Sequence, residues 1–405
     1  METPKMTCRY LPGAMIALPL MILTGCATQN ASHGDLDAAW AGVSLPGAHA
    51  GKDAAETSAG RITSGGVQTY PDTAVASLLP SGVHDPKGWT RDIMTAFSAL
   101  QLPATKENLC ATMAVIAQES SFQAEPVVAG LPRIIQAELE KRRDQFHIPN
   151  AVMDAALAVK SPNGQTYRER IQKLRTENDL NRLYDDMISE LPLGKTLLEN
   201  RNPVKTGGPM QVSLAFAEKK FKSAPYPYSD PRSLREEVFS RRGGLYFGIA
   251  YLLDYQAAYD HMLYRFADYN AGHYASRNAG LQRAIGSLSG QSLSLDGDLL
   301  RYEGERPSRT ASETLNAVWS IKDLLGLSEE AIREDLAREK TPELEGTLTW
   351  QRIAELSRAR GKTPPRPQLP EIKLISPKIT SGLTTAGFAR KVESRFGQCM
   401  RRSGK

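Results

Sequence analysis

The sequence predicts a mainly α-helical fold, on three observations. Residues of one face recur at steps of three and four, as at Leu109, Met113, Ile116 and Ser120, the repeat that lines one face of a helix. Strand-type alternation is sparse throughout. Proline and glycine punctuation, at Pro149 and "SPNG" for instance, cuts the periodic stretches into helix-sized pieces. At 405 residues the chain is long enough for one large domain with extensions or for two compact ones.

The first segment, 1–25, is not part of that fold. Lys5 and Arg9 precede an uncharged apolar stretch from Leu11 to Leu23 that ends in Leu23-Thr24-Gly25-Cys26. The stretch is shorter than the ~20 residues a helix needs to cross a bilayer, and Pro12 and Pro19 interrupt it, so it reads as a secretory signal peptide. Its end resembles the bacterial lipobox, in which cleavage precedes the cysteine and the thiol carries the lipid. The resemblance implies a lipid on Cys26 and, with Ala27 rather than an aspartate beside it, an outer-membrane anchor facing the periplasm. Residues 26–84 are mostly Ala, Gly, Ser, Thr and Asp, as in "GAHAGKDAAETSAGRITSGG". Such a composition buries too little apolar surface to offset the entropy of ordering, and predicts a flexible tether.

Large apolar residues return at "DPKGWTRDIMTAFSALQL", so the folded part is expected to start near Asp85. A second helix follows, with Thr105 as N-cap and Glu107 in its first turn. Glu119 lies on the flank of its apolar face, where desolvation would raise a carboxyl pKa. Residues 131–200 read as helices, "NRNPVKTGGPMQVS" as a loop, and "MQVSLAFAEKKF" as another helix. The long apolar stretch that follows, through "YNAG", has Gly243-Gly244 as its expected entry. From 301 to 405 the pattern shortens into an accessory helical extension expected to pack on the core, with Ser328 and Thr341-Pro342 as helix starts and "KTPPRPQLPEIKLISPK" extended by its prolines.

Net charge is +5, and about +4 once Glu2, Lys5 and Arg9 leave with the signal. No Lys/Arg block interleaved with aromatics suggests nucleic acid. Of four cysteines, Cys8 would leave with the signal and Cys26 would be lipidated. Cys110 and Cys399 remain, which an oxidising compartment permits to pair; two unpaired cysteines are the alternative.

Three separated pieces carry the chemistry: Gln118-Glu119-Ser120-Ser121-Phe122, Gly208-Pro209-Met210-Gln211 and Tyr269-Asn270-Ala271-Gly272. In this order they resemble the lytic transglycosylases of the goose-lysozyme-like superfamily, with their Glu-Ser helix end, Gly-x-Met-Gln turn and Tyr-Asn-Ala-Gly segment. The resemblance implies a lysozyme-like domain over 85–300, interrupted by a helical insertion at about 131–206, and cleavage of peptidoglycan glycan strands without metal or cofactor. It makes Glu119 the sole acid, then base, an exception to two-carboxylate glycoside hydrolysis. Ser120 would orient its carboxyl, Gly208, Met210 and Gln211 would wall the sugar cleft, Tyr269 would bring its hydroxyl near Glu119, and Asn270 would hold the N-acetyl region or the loop.

The sequence departs from that pattern in the insertion, in Pro209 within the turn, and in Asp268 where an alanine often stands. An Asp268 facing the cleft would activate water and make the enzyme a hydrolase; otherwise it pairs locally, with Arg265 or Arg277. Loss of turnover would leave a glycan-binding lipoprotein. Asn278-Ala279-Gly280 echoes the third motif without a physical reason visible in the sequence. The arrangement after the tether, including "SLDGDLLRYEG" and "SPKITSGLTTAGFA", also resembles a family of proteobacterial lipoproteins catalogued as a domain of unknown function. Rival chemistries find no support: Cys-x-x-Cys, His-Glu-x-x-His and Ser-x-x-Lys are absent, only His261 and His273 lie near the third motif, and "GSLSG" has Leu288 where a nucleophile elbow needs serine.

Overall fold

The computed structural model describes residues 70–190, 202, 204–229, 233–304, 306–374 and 383–402. The signal peptide, Cys26 and the tether up to residue 69 lie outside the described residues, as do 191–201 of the insertion apart from its helices. Among the described residues the fold is mainly helical, with two short antiparallel hairpins. The described residues divide into two packing units, one made of those within 116–251 and 372–387, the other of those within 70–115, 252–371 and 388–402. Where the sequence pattern breaks at about residue 300, packing instead joins both sides of that break in the second unit.

The second unit begins with α1 (Asp72–Val75) and α2 (Pro86–Ala99). Val75, Leu78 and Leu79 are buried, so the last fifteen or so residues of the expected tether belong to the core. Their three apolar side chains were diluted by the surrounding Ala, Ser and Asp. Asp85 caps α2 by accepting from the Gly88 N–H at 3.1 Å, and Thr105 caps α3 (Lys106–Glu119) by accepting from Asn108 at 3.1 Å. Cys110, fully buried on α3, forms a disulfide with Cys399. Near it Arg402 donates to the Leu78 carbonyl at 2.7 Å and Lys106 to the Arg402 carbonyl at 2.7 Å.

The first unit holds the insertion: α4 (Leu131–Gln145), α5 (Asn150–Leu157), α6 (Tyr167–Gln172) and α7 (Glu177–Glu190). Leu131, Ile135, Leu157, Tyr167, Leu180 and Tyr184 pack into one apolar cluster that also takes in Val204 and Phe239. The insertion therefore has its own core and fuses to the segment carrying the second motif. After the hairpin of β1 (Thr206–Gly207) and β2 (Val212–Ser213) come α8 (Leu214–Ser223), α9 (Leu234–Phe239) and α10 (Arg241–Leu253).

The second unit resumes with α11 (Met262–Ala271) and α12 (Ala275–Ser289), followed by β3 (Tyr302–Glu303) and β4 (Arg306–Pro307). Then α13 (Glu313–Trp319), α14 (Lys322–Leu325), α15 (Glu329–Leu336) and α16 (Leu348–Ala359) bury their apolar faces with α12, and α17 (Thr385–Met400) ends the described chain. Ser328 caps α15 as expected, at 3.2 Å from the Ala331 N–H. Thr341-Pro342 opens only a 3-10 turn, because the Thr341 hydroxyl donates back to the Arg338 carbonyl; Thr347 caps the helix that follows.

Within this unit Glu339 is 1% exposed. One carboxylate oxygen accepts from the Leu299 and Leu300 amides, while Oε1 has no partner among the described residues. Burial pushes its carboxyl up to about 7, against the pull of Tyr302 and the Leu299 amide, from an ordinary 4.5. A carboxyl raised on folding stabilises the fold fully only below about pH 4.5, and that stability is lost as pH rises through about 7. The Glu339 contribution should therefore fall by about 2–3 kcal/mol between pH 5 and pH 8. Urea unfolding of the protein and of Glu339→Gln at both pH values measures it; equal pH dependence in the two would refute it.

Candidate active site

The helix bearing Glu119 ends at that residue. Ser120 continues the hydrogen bonding, its N–H and hydroxyl both reaching the Ile116 carbonyl at 3.0 Å, and its side chain is buried. Ser121 and Phe122 then turn left-handed, at φ 51° and 60°, a conformation that costs a side-chain-bearing residue about 1–2 kcal/mol. The reversal stops the helix abruptly and leaves Glu119 half-buried at its last turn. The chain next runs to Val127 and Val128, which bond to Thr176 and Arg175 just before α7.

The second motif is the tip of the β1–β2 hairpin. Gly207 pairs with Val212, so Gly208 to Gln211 form the connection, with positive φ at Gly208 (76°) and Gln211 (52°). Gln211 donates through its backbone and its side-chain amide to the Gly208 carbonyl, at 3.1 and 3.3 Å. The hairpin lies on α9 and α10 with almost no gap. A carbon added at Gly208 would meet the Val238 carbonyl oxygen at 2.2 Å, one at Gly244 would meet Pro209 at 2.5 Å, and one at Gly248 would meet Met210 at 2.5 Å. Met210 is fully buried, so its side chain anchors the hairpin on the helix rather than presenting a face to solvent.

Gly244 and Gly248 thus form the groove for the hairpin, while Gly243 lies against the Glu237 carbonyl; Gly243 and Gly244 stand in the first turn of a helix that starts at Arg241. The sequence signal was available: glycine inside a helix costs about 1 kcal/mol relative to alanine, and Gly244 and Gly248 are one turn apart on one face. The groove is braced by Glu237, which is 1% exposed and takes bonds from Arg242 (2.5 and 3.0 Å) and from Tyr226 (2.6 Å). Gly208→Ala should destabilise the protein by about 2–4 kcal/mol, from the clash added to the left-handed backbone. Gly164→Ala, at φ 82° with open space around it, should cost only about 1 kcal/mol. Equal losses in chemical denaturation would contradict the clash.

The chain just after the first motif meets the second in a small open recess, whose lining includes Glu125 and Pro126 from beyond Glu119, Gly208 and Gln211 from the hairpin, and Glu177 and Asn178 from α7. The insertion is therefore a wall of this pocket, not a decoration remote from it. Glu125, Glu177 and Asn178 were missed in the sequence because nothing in their local pattern marks them; only the packing of the insertion brings them to the hairpin.

The third motif lies in the second unit. Tyr269 and Asn270 occupy the last turn of α11 and are half-buried. Gly272, at φ 111°, ends the helix. Asp268 is fully buried and accepts four bonds, from the Tyr255 (3.1 Å) and Tyr259 (2.7 Å) hydroxyls and the Tyr274 (2.9 Å) and Ser276 (2.7 Å) amides. Its partners are therefore not Arg265 or Arg277: Arg265 donates to backbone carbonyls at residues 252 and 255, and Arg277 to those at 339 and 341. Burial raises the Asp268 carboxyl, and the hydrogen bonds from Tyr259, Ser276 and Tyr255 draw it part of the way back. Sealed and satisfied, it fixes the loop after α11 and is not presented to a water.

The echo at Asn278 to Gly280 also has a structural reason. The Asn278 amide ties α12 to the Gly297 and Glu339 carbonyls, both at 3.0 Å. Gly280 admits the backbone of Arg366, whose carbonyl oxygen would be 1.8 Å from an added carbon.

These features define a mainly helical protein with a carboxylate at a sharply ended helix and, in the same packing unit, a glycine-seated hairpin. The chain belongs to the family described as "Protein of unknown function (DUF1615)", whose pattern matches residues 82–402. It is similar to the uncharacterized protein YaiW of Escherichia coli (strain K12), 44% identical over 330 residues that cover 81% of this chain and 89% of that protein. No solved structure matches.

Proposed function

We propose that this protein is a membrane-anchored lytic transglycosylase that cleaves the bond between N-acetylmuramic acid and N-acetylglucosamine in peptidoglycan, leaving 1,6-anhydro ends. The observation that carries the reading is the half-buried Glu119 at the last turn of α3, held there by the left-handed Ser121 and Phe122, with the segment just beyond it sharing a pocket with the Gly208 to Gln211 hairpin.

In this reading Glu119 protonates the departing oxygen, and the substrate's own N-acetyl group steadies the positive sugar carbon. Glu119, now a carboxylate, takes the proton of the same sugar's 6-hydroxyl as that oxygen closes the anhydro ring. Ser120 fits the first half of this cycle. Its hydrogen is committed to Ile116, so toward a carboxyl it can only accept, which favours the protonated acid. Ser120→Ala should then move the high-pH limb of the rate profile downward. An unmoved limb would remove Ser120 from that role. In the same reading Gly208 and Gln211 form the cleft wall that Met210 anchors.

The test is to incubate the protein with purified sacculi and resolve the released fragments by mass. Fragments lighter by one water than reducing-end products support the transglycosylase; reducing ends indicate hydrolysis, and binding without release indicates a wall-binding lipoprotein. The lipid on Cys26 and the outer-membrane location are part of the same proposal, and Cys26→Ala should move the protein from the membrane fraction to the soluble one.

A further inference from the structure

The excess positive charge of the chain gathers at one end of the second unit. From Phe388 to Arg402, α17 and the turn after it carry Arg390, Lys391, Arg395, Arg401 and Arg402 against a single acid, Glu393. Phe388, Val392 and Cys399 are buried and set the inward stripe of the helix. At about 100° per residue, Arg390, Lys391 and Arg401 fall on the opposite side, where all three are exposed, and Glu393 falls at the flank. Among the described residues no ion pair engages Arg390, Lys391, Arg395 or Arg401. Arg402 and Lys106 donate to the carbonyls of Leu78 and Arg402, which orders these cations without cancelling their charge. Set against Glu393 and against Glu107 of α3, these six cations leave an excess of four. That equals the excess of about +4 carried by the whole chain without its signal segment.

The position of this face decides what it meets. The chain from Cys26 enters the described structure at Tyr70, whose amide donates to the Ala104 carbonyl at 2.9 Å. Two residues on, Lys106 reaches the Arg402 carbonyl at 2.7 Å, and Arg402 reaches the Leu78 carbonyl at 2.7 Å. The segment that follows the anchor and the basic end of α17 therefore arrive at the same few residues. A lipid on Cys26 keeps the bilayer within one segment's length of Tyr70, so headgroups stand near the basic face at high effective concentration. Phosphate headgroups are the complement of guanidinium and ammonium groups that lack carboxylate partners. A glycan strand reaches the same face only by diffusion.

We infer that the outward face of α17, with Arg390, Lys391 and Arg401 at its centre, docks on the anionic phospholipid headgroups of the bilayer that holds the lipid. This rests on the membrane-anchored part of the reading above, and adds to the lipid a second, electrostatic contact. A lipid alone retains a protein at a bilayer without orienting it, whereas a basic face fixes which side of the second unit meets the membrane. The attraction extends only about 10 Å at 0.1 M salt. It acts once the lipid has brought the unit to the surface, and is too weak to retain the protein without its lipid at ordinary salt.

A lipid would bind any bilayer, so the test uses the chain from residue 27, which holds every described residue and no lipid, in sedimentation with vesicles at low salt. Vesicles of about 30% phosphatidylglycerol in phosphatidylcholine should bind it and vesicles of phosphatidylcholine alone should not, with binding fading as salt rises to about 0.15 M. The triple variant Arg390→Gln, Lys391→Gln, Arg401→Gln should bind about 100-fold more weakly, at roughly fivefold per cation. The triple variant Arg352→Gln, Arg358→Gln, Arg360→Gln removes the same charge from other exposed positions of the second unit and should keep most of the binding. Both should melt at the parent temperature. Equal losses in the two variants would reduce the effect to net charge, and equal binding to neutral and anionic vesicles would remove the headgroup. Loss of binding to purified sacculi in the first variant, with vesicle binding intact, would give the face to wall carboxylates. Each of these overturns the docking face. A full-length protein whose mass shows no lipid, while the chain from residue 27 still discriminates between vesicles, would leave the face standing and overturn the lipid anchor instead.

Discussion

Glu119→Gln should reduce release of anhydro fragments from sacculi by about 10³-fold or more, with no loss of fold. The magnitude follows from the chemistry proposed for it. General acid catalysis alone contributes about 10²–10⁴, and here the same group also serves as base in the second half, so no second residue restores what is lost. The substitution keeps shape and polarity but has no proton to give at the glycosidic oxygen. The side chain is half-buried at a helix end, so exchanging acid for amide should change the unfolding free energy by less than about 1 kcal/mol. The measurement is an initial rate by fragment mass spectrometry, alongside circular dichroism and a thermal melt. Residual activity above a tenth of the parent would place the acid elsewhere; a collapsed melt would mark Glu119 as structural.

The second large effect is on stability. The Cys110–Cys399 disulfide closes a separation of 289 residues, and the chain-entropy view assigns such a loop about 6 kcal/mol, with measured disulfides usually at about 2–4. Replacing both cysteines by serine should cost about 3–5 kcal/mol and lower the melting temperature by roughly 5–10 °C. Thiol reductant should do the same to the parent and nothing further to the double variant. Cys110 and Glu119 share one helix, about 13 Å apart along its axis, so loosening the helix at Cys110 should also slow turnover, severalfold rather than a thousandfold. A melt insensitive to both treatments would show that the surrounding packing alone holds the C-terminal helix.

The helices were legible because burial imposes a period. The Leu109, Met113 and Ile116 stripe, the Thr105 cap and the Ser328 cap each required only local neighbours, and each is present. The β1–β2 hairpin was not legible as such: its strands are two residues long, too short for alternation, and its shape depends on glycines of α10 that lie far along the chain. Glu119 could be picked out because its neighbours form a compact motif, whereas Glu125 and Asn178 gain meaning only when α7 is packed beside the hairpin. The Asp268 partners were misjudged for a related reason: charge suggested an arginine, but a fully buried carboxylate is satisfied here by two phenols and two amides whose placement depends on the turn after α11.

The way the second unit is stitched from distant parts of the chain bears on how the protein is born. Residues 116–251 can pack most of their unit as they emerge, with 372–387 joining later, whereas the second unit needs residues up to about 402 before Arg402 reaches Leu78 and Cys399 reaches Cys110. Pairings at such high contact order form slowly, so a partly synthesised chain would carry one largely packed unit and two open flanks. A polypeptide that cannot complete its fold until the helix bearing Cys399 arrives stays open over most of its synthesis, and its maturation is timed by delivery of that helix.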